Sequence, residues 1–185
     1  MAAPGSTLTG VLALDTEQGP FWLSFNIGDS RTYIVSGDSI RQMTHDHSAV
    51  QEARDLAELT GEELVFPPSN VVTRALGAGM AVVPDADYAL MPLFQGDYAL
   101  MCSDGVHGVL DDEMIVQIVR SGGEPQQIAN ELVDAAITSG SRDNATAVVV
   151  HALRASRAGD ACDVHSRHMQ AVRPASTTTV RRGVN

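Results

Sequence analysis

The chain has 185 residues, of which 44% are hydrophobic, and its formal net charge is −11. This length and composition are sufficient for one domain with a buried core. Residues 1–153 contain 21 acidic residues and 6 arginines, a net charge of −15, whereas residues 154–185 contain 2 acidic residues and 6 arginines, a net charge of +4. Because nucleic acids and anionic membranes bind to cationic surfaces, so acidic a domain excludes both as partners.

The amino-terminal residues lack the basic and apolar regions of a signal peptide, and no apolar run approaches the roughly 18 residues of a membrane-spanning helix. We therefore expect a cytoplasmic protein. Its two cysteines, Cys102 and Cys162, do not form a Cys-x-x-Cys motif or a disulfide framework, so we expect both thiols to be reduced.

The first 43 residues alternate between apolar strands and turns. Residues 15–20, 28–30 and 36–38 have the composition of turns, and the segments between them are rich in β-branched, aromatic and aliphatic residues. This pattern predicts an antiparallel meander. We assign Asp29 and Asp38, which lie in two of these turns, a purely structural role.

Helices and strands alternate less regularly in the rest of the domain. Ser48 can cap a helix that ends near Leu59 and has one apolar face. Strands are predicted near residues 81–83 and 87–93, and two further helices follow, the first capped by Asp111 or Asp112 and the second opened by Glu124. Many strands with a few clustered helices indicate sheets that are covered by helices.

The most apolar strand, residues 98–102, leads into Ser103, Asp104 and Gly105. A carboxylate at the end of a buried strand loses hydration and must be paired, hydrogen-bonded or bound to a cation. The chain contains no lysine, and we expect no arginine near Asp104. We therefore expect a metal ion at Asp104.

A second apolar strand, residues 145–150, is preceded by Asp143. If the two strands are antiparallel neighbours, Asp104 and Asp143 reach the same edge of one sheet, where their negative charges repel each other. Mg²⁺ or Mn²⁺, which prefer oxygen ligands, would relieve this repulsion.

Each charged residue also has a structural explanation. Asp104 and Asp143 can be turn or strand-capping residues, and Asp46 can complement the dipole of the helix that follows it. Arg31 and Arg74 are candidates for phosphate binding, but we expect them to pair with carboxylates of this acidic domain. The histidines near these residues, His45, His47 and His107, are candidate proton shuttles or plain surface residues.

Five motifs occur along the chain in a characteristic order. They are Asn26-Ile27-Gly28-Asp29-Ser30-Arg31, Thr44-His45-Asp46-His47, Thr73-Arg74-Ala75-Leu76-Gly77, Cys102-Ser103-Asp104-Gly105 and Asp143-Asn144-Ala145-Thr146. In this order they resemble the metal-dependent serine/threonine protein phosphatases of type 2C, the PPM-type phosphatases. The resemblance covers Ser6 to about Leu153, and we expect residues 154–185 to be a flexible basic tail.

The resemblance implies an α+β fold, an αββα sandwich of two antiparallel sheets flanked by helices. It also implies a dinuclear Mn²⁺ or Mg²⁺ site in which Asp104 and Asp143 match metal-binding aspartates, and Asp46 matches an acid that holds a further metal with Asp104. Such a site activates a water molecule that attacks the phosphorus of a phosphoserine or phosphothreonine protein.

The opening motifs of the family have no match here. They comprise a Glu-Asp segment, a phosphate-contacting arginine and an Asp-Gly-x-Gly-Gly-His-like loop. The resemblance therefore implies that residues 1–153 are the C-terminal portion of an N-terminally incomplete phosphatase domain, with a metal site only partly encoded. Three functions stay open: a truncated protein phosphatase, a pseudophosphatase or regulatory binding module without turnover, and a structural domain.

Overall fold

The structure, a computed structural model, describes residues 3–61, 65, 67–68, 70–77, 79, 84–155 and 163–173. Its strands are β1 (Gly5–Ser6), β2 (Leu8–Thr16), β3 (Gly19–Ile27), β4 (Arg31–Ser36), β5 (Ser39–Gln42), β6 (Leu76–Gly77), β7 (Asp87–Pro92), β8 (Tyr98–Cys102), β9 (Ala147–His151) and β10 (Gln170–Val172). Its helices are α1 (Ala49–Thr60), α2 (Asp104–His107), α3 (Asp112–Arg120) and α4 (Pro125–Thr138). The predicted strand near residues 81–83 lies outside the described residues.

Two four-stranded antiparallel sheets make up the centre of the fold. The strand order is β10-β7-β3-β2 in the first sheet and β5-β4-β8-β9 in the second. The predicted meander is therefore divided, because β3 belongs to the first sheet and β4 to the second. The chain changes sheet at Gly28, which has a φ of 111° that favours glycine.

The apolar residues form two layers. The sheets pack against each other through residues such as Trp22 and Met91 from the first sheet and Ile34 and Ala99 from the second. The opposite face of the second sheet packs against α2, α3 and α4, whose buried residues include Val106, Ile115 and Leu132. The predicted α+β sandwich is confirmed.

The helix starts follow the predicted caps. Ser48 Oγ accepts the Gln51 N–H at the start of α1, and Asp111 Oδ1 accepts the Met114 N–H at the start of α3. Helix α1 has no buried residue. Within the described residues, no helix has the length and apolar character needed to cross a membrane.

Residues 163–173 are part of the sandwich, so the prediction of a flexible tail is wrong for this segment. Val164 is completely buried between the sheets, and β10 pairs with β7. Arg167 is also buried and forms an ion pair with Asp97. The sequence did not indicate this because the segment docks through two isolated side chains and a three-residue strand, which leave no periodic pattern. The other tail residues, 156–162 and 174–185, lie outside the described part of the chain.

Candidate functional site

Strands β8 and β9 are antiparallel neighbours, as predicted. Cys102 at the end of β8 pairs with Ala147 at the start of β9. Asp104 follows β8 and Asp143 precedes β9, so both aspartates lie beyond the same edge of the second sheet. The strand register therefore places two aspartates that are distant in the sequence at the same end of the second sheet.

Ser103 ties the two segments together. Its backbone N–H donates to Thr146 O over 3.1 Å, and its hydroxyl donates to Asn144 O and accepts the Thr146 N–H, both over 3.0 Å. These three bonds fix the turn that carries Asp104 against the segment that carries Asp143. No role was predicted for Ser103 from the sequence, although it lies within the Cys-Ser-Asp-Gly motif.

The carboxylates of Asp104 and Asp143 are exposed, which corrects the expectation that Asp104 loses its hydration. Each accepts the backbone N–H of the following residue, over 2.9 Å at Asp104 and 2.7 Å at Asp143. Strand β8 is buried, but the chain turns outward after Cys102 and carries the side chain of Asp104 into solvent. Among the described residues, neither carboxylate forms a salt bridge.

Arg31 lies close to this edge, so the inference that no arginine is near Asp104 is wrong. It pairs with Cys102 across β4 and β8, and its guanidinium binds both oxygens of Asp46 over 2.7–3.0 Å. Gln42 also donates to Asp46, over 3.1 Å, and only 6% of the Asp46 side chain is exposed. The expected pairing of Arg31 with a carboxylate is confirmed. The metal-binding role of Asp46 stays a prediction, in which a cation would compete with Arg31.

Asp29 and His107 belong to the same neighbourhood. Burial raises the pKa of Asp29, and the charges of Asp104 and Asp46 raise it further. His107 Nε2 donates to the Asp29 carbonyl oxygen over 3.0 Å, and burial, together with the charge of Arg31, lowers the pKa of His107. The sequence signal that could have identified Asp29 is its place in the motif Asn26-Ile27-Gly28-Asp29-Ser30-Arg31. In the fold, the residues that precede β4 lie beside those that follow β8.

We expect the partly buried His107 to make the folded chain sensitive to acid. Because folding lowers its pKa from 6.5, the unfolded state binds more protons below about pH 6.5, and the free energy of unfolding falls as the pH drops toward the folded pKa. Urea unfolding at about pH 7 and about pH 5.5 should show a smaller pH effect in His107→Gln than in the native chain. Equal pH effects in the two proteins would contradict this explanation.

His47 and Arg74 form a second polar group, at the start of β7. The buried His47 accepts the Gly28 N–H at Nδ1, so Nε2 carries the proton and donates to Asp87 over 2.9 Å. Arg74 binds Asp87 over 2.8 Å, which confirms that this arginine also pairs with a carboxylate. Partial burial raises the pKa of Asp87, but the hydrogen bonds from His47 and Arg74 outweigh burial and lower it. Both ring nitrogens of His47 are thus committed to structural bonds.

Cys102 is excluded as a nucleophile. Its side chain is buried, and burial raises the pKa of the thiol to about 12. Since the thiolate is the reactive form, Cys102 does not attack a phosphate ester at neutral pH. Cys162 lies outside the described residues.

The described residues do not contain a complete metal-binding cluster. Within residues 3–61, 84–155 and 163–173 and the short described pieces between them, no three His, Cys, Asp or Glu side chains converge on one point. Asp104 and Asp143 are nevertheless suited to a hard cation, because both are exposed oxygen ligands without a competing ion pair. The chain thus supplies two carboxylates of the kind that such a site uses.

Comparison with known proteins identifies the family. Residues 2–145 match the family described as Protein phosphatase 2C. The chain is 32% identical over 126 residues to the serine/threonine phosphatase stp of Listeria innocua, covering 68% of this chain and 49% of that protein. It is also 32% identical over 147 residues to the protein phosphatase PhpP of Streptococcus pneumoniae, covering 79% of this chain and 57% of PhpP.

Solved structures agree with this match. The serine/threonine phosphatase PstP/Ppp of Mycobacterium tuberculosis superimposes with a TM-score of 0.64 at 29% identity, covering 78% of this chain and 59% of the other. A catalytic domain of PstP in complex with two manganese ions gives a TM-score of 0.61 at 32% identity, covering 78% and 57%. The chain spans about half the length of the curated relatives that it matches. From the ordered motifs, the sandwich fold and these similarities, we conclude that the chain belongs to the protein phosphatase 2C family.

Proposed function

We propose that this chain carries the second part of a metal-dependent protein serine/threonine phosphatase domain. The observation that supports the proposal best is the juxtaposition of Asp104 and Asp143, two exposed carboxylates that are held at one sheet edge by Ser103. The class of reaction is taken from the relatives, which are named serine/threonine phosphatase and protein phosphatase. The type of metal is taken from the PstP catalytic domain, which was solved in complex with two manganese ions.

In this proposal, Asp104 and Asp143 hold Mn²⁺ or Mg²⁺ through their oxygens. A metal held there would supply an activated water and would neutralise charge on the phosphoryl group. Ser103 ties together the two chain segments that carry these aspartates, which keeps both at the same end of the second sheet. The Arg31–Asp46 pair lies near this end of the sheet, where it joins the start of β4 to the segment that follows β5.

The proposed substrate is a protein that carries phosphoserine or phosphothreonine. The chain spans about half the length of its relatives, and Asp104 and Asp143 are only part of a dinuclear site. We therefore expect this partial site to bind Mg²⁺ weakly. The same observation favours a second candidate, a binding module with this fold and no turnover.

The test is Mn²⁺ binding and Mn²⁺-dependent hydrolysis of p-nitrophenyl phosphate by the native chain. We expect Asp104→Asn and Asp143→Asn each to weaken Mn²⁺ affinity at least about tenfold and to abolish the metal-dependent hydrolysis. The matched control is Asp134→Asn, at an exposed position on α4, which should behave as the native chain.

Two results separate the candidates. A folded native chain that binds Mn²⁺ but does not hydrolyse the ester at millimolar Mn²⁺ favours the binding module. Mn²⁺ binding that is unchanged in both site variants would overturn the metal site itself.

A further inference from the structure

An open groove lies between helix α3 and the turn that joins β4 to β5. It is lined by residues 38–40, by one face of α3 and by His165 of the carboxy-terminal segment. Its volume is about 560 Å³, within the range of about 300–1,000 Å³ that is typical of binding sites. Strand β5 is the edge of the second sheet opposite β9, so the groove is separate from the ends of β8 and β9 that carry Asp104 and Asp143. We call it the acidic groove.

The floor of the acidic groove is apolar and closed. Ile40 of β5 and Val116 of α3 form part of it and are only 7% and 8% exposed. Both belong to the core between the second sheet and its helices. The groove is therefore a depression between elements that already pack on each other, and not a sheet face that lacks a covering layer.

The wall that carries His165 is held in place by hydrogen bonds to β5. Ser39 Oγ accepts the Val164 N–H over 3.0 Å. Arg41, which follows Ile40 and so points to the other face of the sheet, donates to the carbonyl oxygens of Val164 and Arg167 over 3.5 and 2.9 Å. Because this wall is fixed in advance, a ligand does not have to order it on binding.

The rim of the acidic groove is negatively charged. Asp38, Asp112 and Glu113 are exposed there, and Arg120 is the one arginine among the described residues that line the groove, which gives a net charge of −2 with His165 neutral. Asp112 and Glu113 lie in the first turn of α3, where they complement the helix dipole. Within the described residues neither forms an ion pair, and Glu113 accepts one 3.3 Å hydrogen bond from the amide one turn along. Both carboxylates are thus accessible to a cationic ligand.

An ion pair within the groove shows the contact that such a ligand would make. Arg120 Nη1 lies 2.8 Å from Asp38 Oδ1, and these side chains are 57% and 77% exposed. An ion pair this exposed is weak, because water and salt screen it. A guanidinium from another protein can therefore take the place of Arg120 beside Asp38.

We propose that the acidic groove binds an extended, arginine-rich segment of a partner protein, a function beyond the proposed phosphatase activity. An arginine side chain lays its apolar stem on apolar surface and keeps its guanidinium in water, which matches the floor of Ile40 and Val116 below a rim of carboxylates. The planar guanidinium also binds a carboxylate through two parallel hydrogen bonds, which the ammonium group of lysine does not do.

The length of the groove sets the length of the segment. Helix α3 has 9 residues and is about 13 Å long, which corresponds to about four residues of an extended chain at about 3.3 Å each. Alternate residues of an extended segment point to the same side, so about two arginines reach the groove at once. Residues 1–153 have a net charge of −15, which attracts a basic segment over a longer range.

The test is fluorescence anisotropy of a labelled hexapeptide in which arginine and alanine alternate. The native chain is titrated to about 500 µM in EDTA, at about 50 mM and about 300 mM NaCl, and we expect saturable binding that is at least about fivefold weaker in the higher salt. Asp112→Asn/Glu113→Gln should weaken binding at least about fivefold at the lower salt, because it removes two carboxylates of the rim. The matched control, Glu52→Gln/Glu58→Gln, changes the net charge equally at exposed positions on α1 and should bind as the native chain does.

Far-ultraviolet circular dichroism establishes that each variant is folded. Absence of saturable binding by the native chain at the lower salt would overturn the proposal. Equal losses in the α3 and α1 variants would also overturn it, since binding would then follow net charge and not the groove.

A further variant tests whether this chain fills the groove itself. Arg181→Ala/Arg182→Ala should leave the affinity for the peptide unchanged. At least about tenfold tighter binding would assign the groove to the basic end of this chain and overturn the assignment to a partner. Because EDTA removes Mn²⁺ and the peptide carries no phosphate, none of these results depends on the metal site or on hydrolysis.

Discussion

Replacement of Asp97 by alanine is expected to lower the free energy of unfolding by about 3–5 kcal/mol, because it leaves a buried guanidinium without its counter-charge. The side chains of Asp97 and Arg167 are 0% and 1% exposed, and two hydrogen bonds of 2.7 and 2.9 Å join them. Asp97 also accepts the Trp22 indole N–H and the Phe94 backbone N–H. The substitution therefore removes the acceptor of four hydrogen bonds inside the sandwich.

The measurement is urea unfolding followed by circular dichroism and by the fluorescence of Trp22, the single tryptophan of the chain. The matched control is Arg120→Ala, which breaks the exposed ion pair of Arg120 with Asp38 and should cost about 0–1 kcal/mol. A loss of less than about 1 kcal/mol in Asp97→Ala would show that the pair does not anchor residues 163–173. The double variant Asp97→Ala/Arg167→Ala should lose less than the sum of the two single losses.

Replacement of Gly105 by alanine is expected to separate the two segments of the candidate site. A Cβ at this position would be 2.5 Å from the carbonyl oxygen of Asn144 and 3.1 Å from the Cα of Ala145. Both are backbone atoms, so the segment that carries Asp143 must move away from the turn that carries Asp104. Alanine favours a helix over glycine by only about 1 kcal/mol, whereas overpacking costs about 1–3 kcal/mol, so we expect a net loss of stability.

We expect Gly105→Ala also to weaken Mn²⁺ affinity at least about tenfold, because the segments that carry the two aspartates no longer keep their native contact. The control is Gly61→Ala, at the end of α1, where an added Cβ meets nothing within 4 Å and only the positive φ of 71° causes strain. This control should lose stability without a change in Mn²⁺ affinity. If Gly105→Ala is as stable as the native chain, the two segments are not in the contact described above; if it is less stable but binds Mn²⁺ normally, the metal site is elsewhere.

Much of the fold was predictable because local patterns carry it. Turn residues and the apolar segments between them located the strands of the first 43 residues, and the polar residues Ser48 and Asp111 marked helix starts. The neighbourhood of Asp104 and Asp143 followed from one assumption, that the strands beside them are antiparallel, and the register of β8 and β9 agrees with it. The strand ends and helix caps were predictable from residues within a few positions of each, whereas the pairing of β8 with β9 had to be assumed.

The features that were missed depend on residues distant in the sequence. The Asp97–Arg167 pair joins positions 70 residues apart. Arg31 lies near the turn that carries Asp104 only because β4 pairs with β8. The exposure of Asp104 depends on the direction in which the chain leaves β8. The sequence by itself determined the family, most strands of the two sheets and the caps at Ser48 and Asp111, and it predicted the two aspartates as metal ligands. Only the tertiary structure decided the ion pairs and the docking of residues 163–173. The physical reason is that periodicity and turn chemistry act over one or two turns of chain, while ion pairing and burial depend on which elements the folded chain brings into contact.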